Sequence, residues 1–247
     1  SDDNIHFYED INYPPIFGEG QLESFGIEDC RVSYIDGKFN LTYSAISPVA
    51  VGIGLMQTTD WQHFDRKGLI FPPHNKDCAI WEQKVNGMYY AFHRPSSPEL
   101  GGNYIWLAES PDRIHWGKHH CIATTRPGKW DAVRVGAGAA PIKTDKGWLM
   151  LYHGVEHGGR GYYRVGAVLL DKENPLKVLA RTPDCILEPE FNYELCGNYQ
   201  GCVFPTGNVI VEDMLYVYYG CADKYIGLAT CRVEELTDFL LNDCKVC

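Results

Sequence analysis

The sequence predicts an all-β fold, a β-propeller, and three observations carry that prediction. A turn followed by an alternating strand recurs four times: Asp36-Gly37 then KFNLTYSA, Asn86-Gly87 then MYYAFHRP, Lys146-Gly147 then WLMLYHGV, and Glu212-Asp213 then MLYVYYG, with starts 50, 60 and 66 residues apart. A Ser/Thr-x-Asp-x-x-His-aromatic corner recurs as SDDNIHF (Ser1–Phe7), TTDWQHF (Thr58–Phe64) and SPDRIHW (Ser110–Trp116), with starts 57 and 52 apart. A third β-rich run follows each hairpin: GIGLMQTT, YIWLAES, RVGAVLLD and YIGLATCRV. A unit of about 50–60 residues holding a few strands is the signature of propeller blades. A β-sandwich is the bland rival, but it gives no reason for a repeat at this period.

Taken in order, four hairpins are visible, and the corner appears once more at residue 1 with no hairpin before it. The expectation is one domain over 1–247: a five-bladed β-propeller whose first blade is largely missing from the N-terminus of this sequence. Dipeptides such as Asn-Gly supply the positive φ that tight hairpins need. The corner's Asp60, Asp112, His63 and His115 are assigned to turn hydrogen bonds. Trp81, Trp106 and Trp148 read as core or ring-wall residues, and the Gly-rich GAGAAP run as a close-packed strand, since it lacks a phosphate-loop pattern. Near the end, Val233–Leu241 reads as one short helix.

Composition narrows the function. With 45% hydrophobic residues the chain can bury a core. Its net charge of −10 argues against nucleic-acid and anionic-membrane binders, which need a basic face. No apolar run approaches the roughly 18 residues of a membrane span and no signal peptide opens the sequence, so a soluble, cytoplasmic protein is expected. The ten cysteines include a single C-x-x-C, Cys244 and Cys247, without the partners of a zinc site. Cys78, Cys202, Cys221 and Cys231 lie in apolar strand-like runs and read as reduced core residues.

In a propeller the innermost strands line a central funnel, so polar residues that break the apolar pattern at repeat-equivalent places are the site candidates. These are Glu28-Asp29-Cys30-Arg31, Asn75-Lys76-Asp77, His93-Arg94-Pro95, Arg134, Tyr152-His153-Gly154, and Tyr219-Gly220 with Ala222-Asp223. Lys76, Arg94, Arg134 and His153, read as cations, would focus a positive field on a small anion. The Arg fork matches phosphate oxygens and Lys supplies a compact charge. Asp29 would donate a proton to a leaving group if its surroundings raise its pKa. Each of these residues alone is more often a salt-bridged or core side chain; their co-occurrence carries the reading.

Those motifs, with Ser110-Pro111-Asp112, His115-Trp116-Gly117, Gly136-Ala137-Gly138, Pro141-Ile142-Lys143-Thr144 and Ile186-Leu187-Glu188-Pro189, resemble glycoside hydrolase family 130 over nearly the whole sequence. The resemblance implies a five-bladed propeller and inverting phosphorolysis of a β-mannoside to α-mannose 1-phosphate. It makes Asp29 the general acid, acting through a mannose hydroxyl, and Lys76, Arg94, Arg134, His153 and Tyr163 the phosphate ligands. Asp223, Glu28 and Asp77 are assigned to the sugar. Phosphate is co-substrate; no cofactor or metal is implied. The partners are a mannoside oligosaccharide and phosphate, with a homo-oligomer left open. Phosphate arrives as an anionic nucleophile, so the second carboxylate of an inverting hydrolase is not needed. Cys30 stands where the family has Pro, Lys76 where Arg is common and Arg134 where Lys is common. The segment HRPSSPELGGNYIW favours a β-1,2 over a β-1,4 linkage. Two alternatives remain: a β-mannosidase using Glu28, Glu188 or Glu190 as base, and a non-catalytic carbohydrate-binding propeller.

Overall fold

The computed structural model describes residues 1–96, 102–156 and 161–246. They form four antiparallel sheets that follow one another in sequence. The first holds β1 (Gly26–Ile35), β2 (Lys38–Ile46), β3 (Val51–Thr58) and β4 (Asp65–Phe71). The second holds β5 (Asn75–Ile80), β6 (Tyr89–Pro95), β7 (Ile105–Ser110) and β8 (Gly117–Ala123). The third holds β9 (Arg134–Ala137), β10 (Ile142–Lys143), β11 (Trp148–Val155), β12 (Tyr163–Leu170) and β13 (Val178–Arg181). Both β9 and β10 pair with β11, through Ala137↔Tyr152 and Ile142↔Leu149, so they are two halves of one inner strand broken at 138–141. The GAGAAP run is therefore strand only in part.

The fourth sheet has three strands, β14 (Val203–Val211), β15 (Met214–Cys221) and β16 (Tyr225–Arg232). The chain then turns into helix α2 (Val233–Asp243), which packs on β12, β13 and β16 with Thr237 and Leu240 buried. The expected helix is thus present and two residues longer. A one-turn helix, α1 (Asn192–Leu195), was not foreseen. No helix among the described residues is long and apolar enough to cross a membrane.

Local chemistry explains the regularity. Asp36-Gly37 and Asn86-Gly87 both sit at positive φ (51° and 75°, 50° and 81°), the paired left-handed geometry of tight hairpins. In each corner one Asp oxygen accepts backbone N–H groups two and three residues on, and its other oxygen meets the His Nδ1: 2.6 Å at Asp3–His6, 2.8 Å at Asp60–His63, 2.7 Å at Asp112–His115. These corners carry the chain from β3 to β4 and from β7 to β8, with their imidazoles exposed. After β12, Asp171 makes the same two backbone bonds without a His, so this corner lacks the sequence pattern of the other three.

A second repeated device pins the loops that enter the inner strands. Tyr43, Tyr152 and Tyr219 face Gly54, Gly166 and Gly227 on the neighbouring strand, where a Cβ would collide with the ring. Each hydroxyl donates to a buried carboxylate from the preceding loop: Glu23 at 2.6 Å, Asp131 at 2.9 Å and Glu194 at 2.7 Å. A satisfied buried charge of this kind fixes a loop better than apolar packing alone.

Apolar clusters fill the spaces between successive sheets. Trp81 and Trp148 are buried against each other at 4.7 Å, as core residues. The nine described cysteines are free thiols; Cys78, Cys202, Cys221 and Cys244 are buried. Cys247, the second member of the C-x-x-C, lies outside the described residues.

Candidate functional site

The inner strands β1 and β5 carry the same irregularity near their starts. Their pairing registers shift between Glu28 and Arg31 and between Lys76 and Ala79, and the residues in the bulge, Asp29 and Asp77, sit at φ 56° and 54°. Aspartate tolerates this left-handed conformation better than most residues, and a bulge re-aims the side chain it carries. The dipeptide Asp-Cys thus occurs at equivalent places in two sheets, 29–30 and 77–78.

Three sheets converge on Asp77. Its Oδ2 lies 2.9 Å from Arg94 Nη1 and 3.4 Å from His153 Nε2, and its Oδ1 is 3.9 Å from Arg31 Nη2. Arg94 Nη1 is also 3.2 Å from His153 Nε2. The strands enforce this meeting: Lys76 pairs with Arg94 across β5 and β6, and Gly136 pairs with His153 across β9 and β11. Gly136 is required there, since a Cβ would fall 2.1 Å from Asp77 Oδ2 and 2.4 Å from His153 Cε1. Burial raises the Asp77 carboxyl's pKa, but Arg94, His153 and Arg31 outweigh it and hold the group well below the carboxylate range. Two corrections follow. Asp77, expected at the sugar, has a side chain only 1% exposed and turned inward. His153, expected as a cation, is neutral at pH 7: burial lowers its pKa to about 4 against the opposing pull of Asp77.

Arg134 extends the cluster. Its Nη1 donates to the Tyr163 hydroxyl at 3.0 Å, and the Tyr163 ring lies 5.5 Å from His153. Burial raises the Tyr163 pKa, so its hydroxyl stays a neutral donor. Among the described residues, Arg94 Nε, Arg134 Nε, Arg31 Nη2 and His153 Nδ1 are buried without hydrogen-bond partners. Buried donors left unpaired are costly, and an anion among them would satisfy several at once.

Lys76 stands one step outward, ion-paired with Glu28 at 2.5 Å. Asp29 is bracketed by the two groups: burial raises its pKa first, Arg31 opposes, Asp77 and Glu28 reinforce, and Lys76 opposes again. Arg31, fully buried, donates Nη1 to the Asp29 carbonyl at 2.6 Å and Nε to the Gly138 carbonyl at 2.9 Å. Asp223 lies in the β15–β16 turn at φ 51°, its carbonyl accepting from Asn198 at 2.9 Å. Burial pushes the Cys202 thiol up to about 12, with the charges of Asp223, Cys221 and Asp29 adding to it.

The structure therefore brings Arg94, His153, Arg134, Tyr163 and Asp77 into one cluster and places Asp29, Glu28 and Lys76 beside it. Arg31 and Phe204 went unassigned in the sequence; Phe204 packs at 4.4 Å on His153 and lies under the Arg31 guanidinium at 5.3 Å. The repeated Asp-Cys pair was a signal for Arg31's neighbourhood, but an Arg inside a strand has no signature of its own. Of the candidate bases, Glu28 is bound to Lys76, Glu188 is held by Arg164 at 3.0 Å, and Glu190 is exposed. Among the described residues no group of three or more His, Cys, Asp or Glu side chains is arranged to hold a metal ion. Chemically, the site offers a nest of donors for an oxyanion beside one carboxyl with a raised pKa.

The model of glycoside hydrolase family 130, described as beta-1,4-mannooligosaccharide phosphorylase, matches residues 3–242. The chain is 41% identical over 245 residues to a beta-1,2-mannobiose phosphorylase of Listeria innocua, covering 99% of this chain and 68% of that protein. It is 37% identical over 239 residues to a 1,2-beta-oligomannan phosphorylase of a Thermoanaerobacter species, covering 96% of this chain and 78% of that one. A solved structure of the Listeria innocua beta-1,2-mannobiose phosphorylase in complex with beta-1,2-mannobiose superposes with a TM-score of 0.93, over 97% of this chain and 67% of that one. With a family match across almost the entire sequence and relatives well above 30% identity, the chain belongs to glycoside hydrolase family 130.

Proposed function

We propose that the chain works as an inverting β-mannoside phosphorylase, β-1,2 linkages being favoured over β-1,4. The two relatives described above are phosphorylases of β-1,2-linked mannosides, which supports both parts of the reading. A single domain forming a five-bladed ring, in which the four sheets take four places, goes with it, as does a cytoplasmic location. Phosphate is co-substrate and no cofactor takes part.

Arg94, Arg134, His153 and Tyr163, with Lys76 at the edge, hold phosphate in line with the anomeric carbon. Fixing an anionic nucleophile in that pose supplies much of the rate without a base. Asp29, whose pKa burial raises, delivers a proton in its acid form through a mannose hydroxyl to the glycosidic oxygen. The bond from the anomeric carbon to that oxygen breaks as the bond to phosphate oxygen forms on the opposite face. The products are α-mannose 1-phosphate and the shortened sugar. Asp223 and Glu28 face the sugar. Neutral His153 is a hydrogen-bond partner for phosphate, not a charge.

The observation that carries the reading is the set of unpaired buried Arg and His nitrogens beside a lone carboxyl with a raised pKa. Incubating the protein with β-1,2- and β-1,4-mannobiose, with and without phosphate, tests it. Mannose 1-phosphate should appear only with phosphate, and faster from the β-1,2 sugar. Free mannose released at the same rate without phosphate would make the protein a hydrolase.

A further inference from the structure

Asp77 has no open route to a sugar, yet its two oxygens face groups from three different sheets. Oδ2 meets Arg94 on β6 and His153 on β11, at 2.9 and 3.4 Å; Oδ1 faces Arg31 on β1 at 3.9 Å. Arg31 in turn grips the carbonyl of Asp29 at 2.6 Å. Asp77, Arg94, His153 and Arg31 are all buried, and Gly136 leaves the space that lets Asp77 and His153 approach. The bulge at Lys76–Ala79, with Asp77 at φ 54°, is what turns the carboxylate inward.

The geometry points to Asp77 as a positioning residue for phosphorolysis: one carboxylate that holds the anion-binding pair Arg94–His153 and, through Arg31, the backbone of Asp29 in a single frame. The inference rests on the phosphorylase reading above. It carries a sign that a purely electrostatic role does not. Removing a negative charge from beside the anion site would by itself tighten phosphate binding. Removing the frame leaves Arg94 and His153 free to drift, and misplacement of about 1 Å can cost about a hundredfold in rate.

Steady-state phosphorolysis of β-1,2-mannobiose is compared for the wild type, Asp77→Asn, Asp77→Glu and Arg31→Lys, with phosphate binding followed separately by calorimetry. Asp77→Asn should raise the phosphate KM by about tenfold or more while the mannobiose KM moves by less than about threefold. Asp77→Glu, which keeps the charge, should recover part of that loss. Arg31→Lys keeps the charge but loses the fork, and should lower kcat with little change in phosphate KM. A phosphate KM in Asp77→Asn that stays level or falls overturns the proposal, as do two KM values rising in parallel or an unchanged kcat in Arg31→Lys. If Asp77→Asn does not fold, Asp77→Glu carries the same test, a selective rise in phosphate KM against parallel rises. A wild type without phosphate-dependent turnover refutes the phosphorylase reading alone. The calorimetric comparison then still decides whether Asp77 holds the anion site.

Discussion

Asp29 and Asp77 occupy the same place in successive sheets, each followed by Cys, each in a bulge, each at a φ near 55°. Their chemistry is opposite. Burial raises Asp29, and the nearest guanidinium, Arg31, spends its Nη1 hydrogen bond on the Asp29 backbone carbonyl instead of the carboxylate. Asp77 is more deeply buried, but Arg94, His153 and Arg31 surround its oxygens and keep it ionised. Identical backbone geometry thus delivers a carboxyl with a raised pKa in one sheet and a fixed anion in the next. What differs is which side chains reach each carboxylate: β6 of the same sheet and β11 of the next bring Arg94 and His153 to Asp77, and no described cation closes on the Asp29 carboxylate in the same way.

The comparison breaks most sharply by removing each carboxylate in turn. Asp29→Asn should lower kcat by about a hundred- to ten-thousand-fold, the range of a lost general acid, and leave phosphate affinity close to wild type. Asp77→Asn should weaken phosphate affinity about tenfold or more and cost kcat much less than Asp29→Asn does. If both variants lost kcat and phosphate affinity alike, the two aspartates would not have separate roles. The wild-type pH profile sharpens the same point. Because the Asp29 pKa is raised and the acid form is needed, turnover should fall as pH rises through that raised value. A rate that increased steadily with pH would argue that Asp29 acts as an anion.

Next in size is the space that Asp77 needs. Gly136→Ala puts a methyl group into Asp77 and His153, and should cost about 1–3 kcal/mol of stability together with phosphate binding. Gly117→Ala, where a Cβ meets nothing within 4 Å, is the matched control and should change neither. Equal melting temperatures for the two variants would show that the close approach at Gly136 is not limiting.

The smallest effect concerns His93, beside Arg94 but outside the Asp77 cluster. It is hydrogen-bonded to Asn75 at 3.0 Å and to His119 at 3.0 Å, and burial first, then His119, lowers its pKa to about 3. The unfolded chain takes up this proton near pH 6.5 while the folded one does not, so stability is lost as pH falls below that value. His93→Gln should remove about 2 kcal/mol of the stability lost between pH 7 and 5. Denaturant titrations at the two pH values would show it; an undiminished loss in the variant would assign the acid sensitivity elsewhere.

The repeat was legible because turns announce themselves. Asn86-Gly87 and the Asp60–His63 corner are fixed by local φ and local hydrogen bonds, so their residue types must appear in sequence. The corner at Asp171 keeps the backbone bonds and drops the His, and vanished from view for that reason. The Tyr43–Glu23, Tyr152–Asp131 and Tyr219–Glu194 contacts join residues 20–25 apart at unequal spacings, which no short pattern captures. The broken inner strand at 138–141 was likewise hidden, since Gly and Ala fit either conformation. At the site, residue types were readable but their environments were not. The inward turn of Asp77 follows from a bulge, and the neutrality of His153 from burial; both depend on the packing of three sheets. Of the segment behind the β-1,2 preference, residues 97–101 lie outside the described structure.

The proposed function stands or falls with the buried nitrogens of Arg94, Arg134 and His153 gripping an inorganic oxyanion. Calorimetric titration of phosphate into the wild-type protein and into Arg94→Ala tests it without requiring turnover. Saturable binding at one site is expected in the wild type, and its loss in Arg94→Ala. Heat of dilution alone in the wild type, or the same isotherm in both proteins, would contradict it.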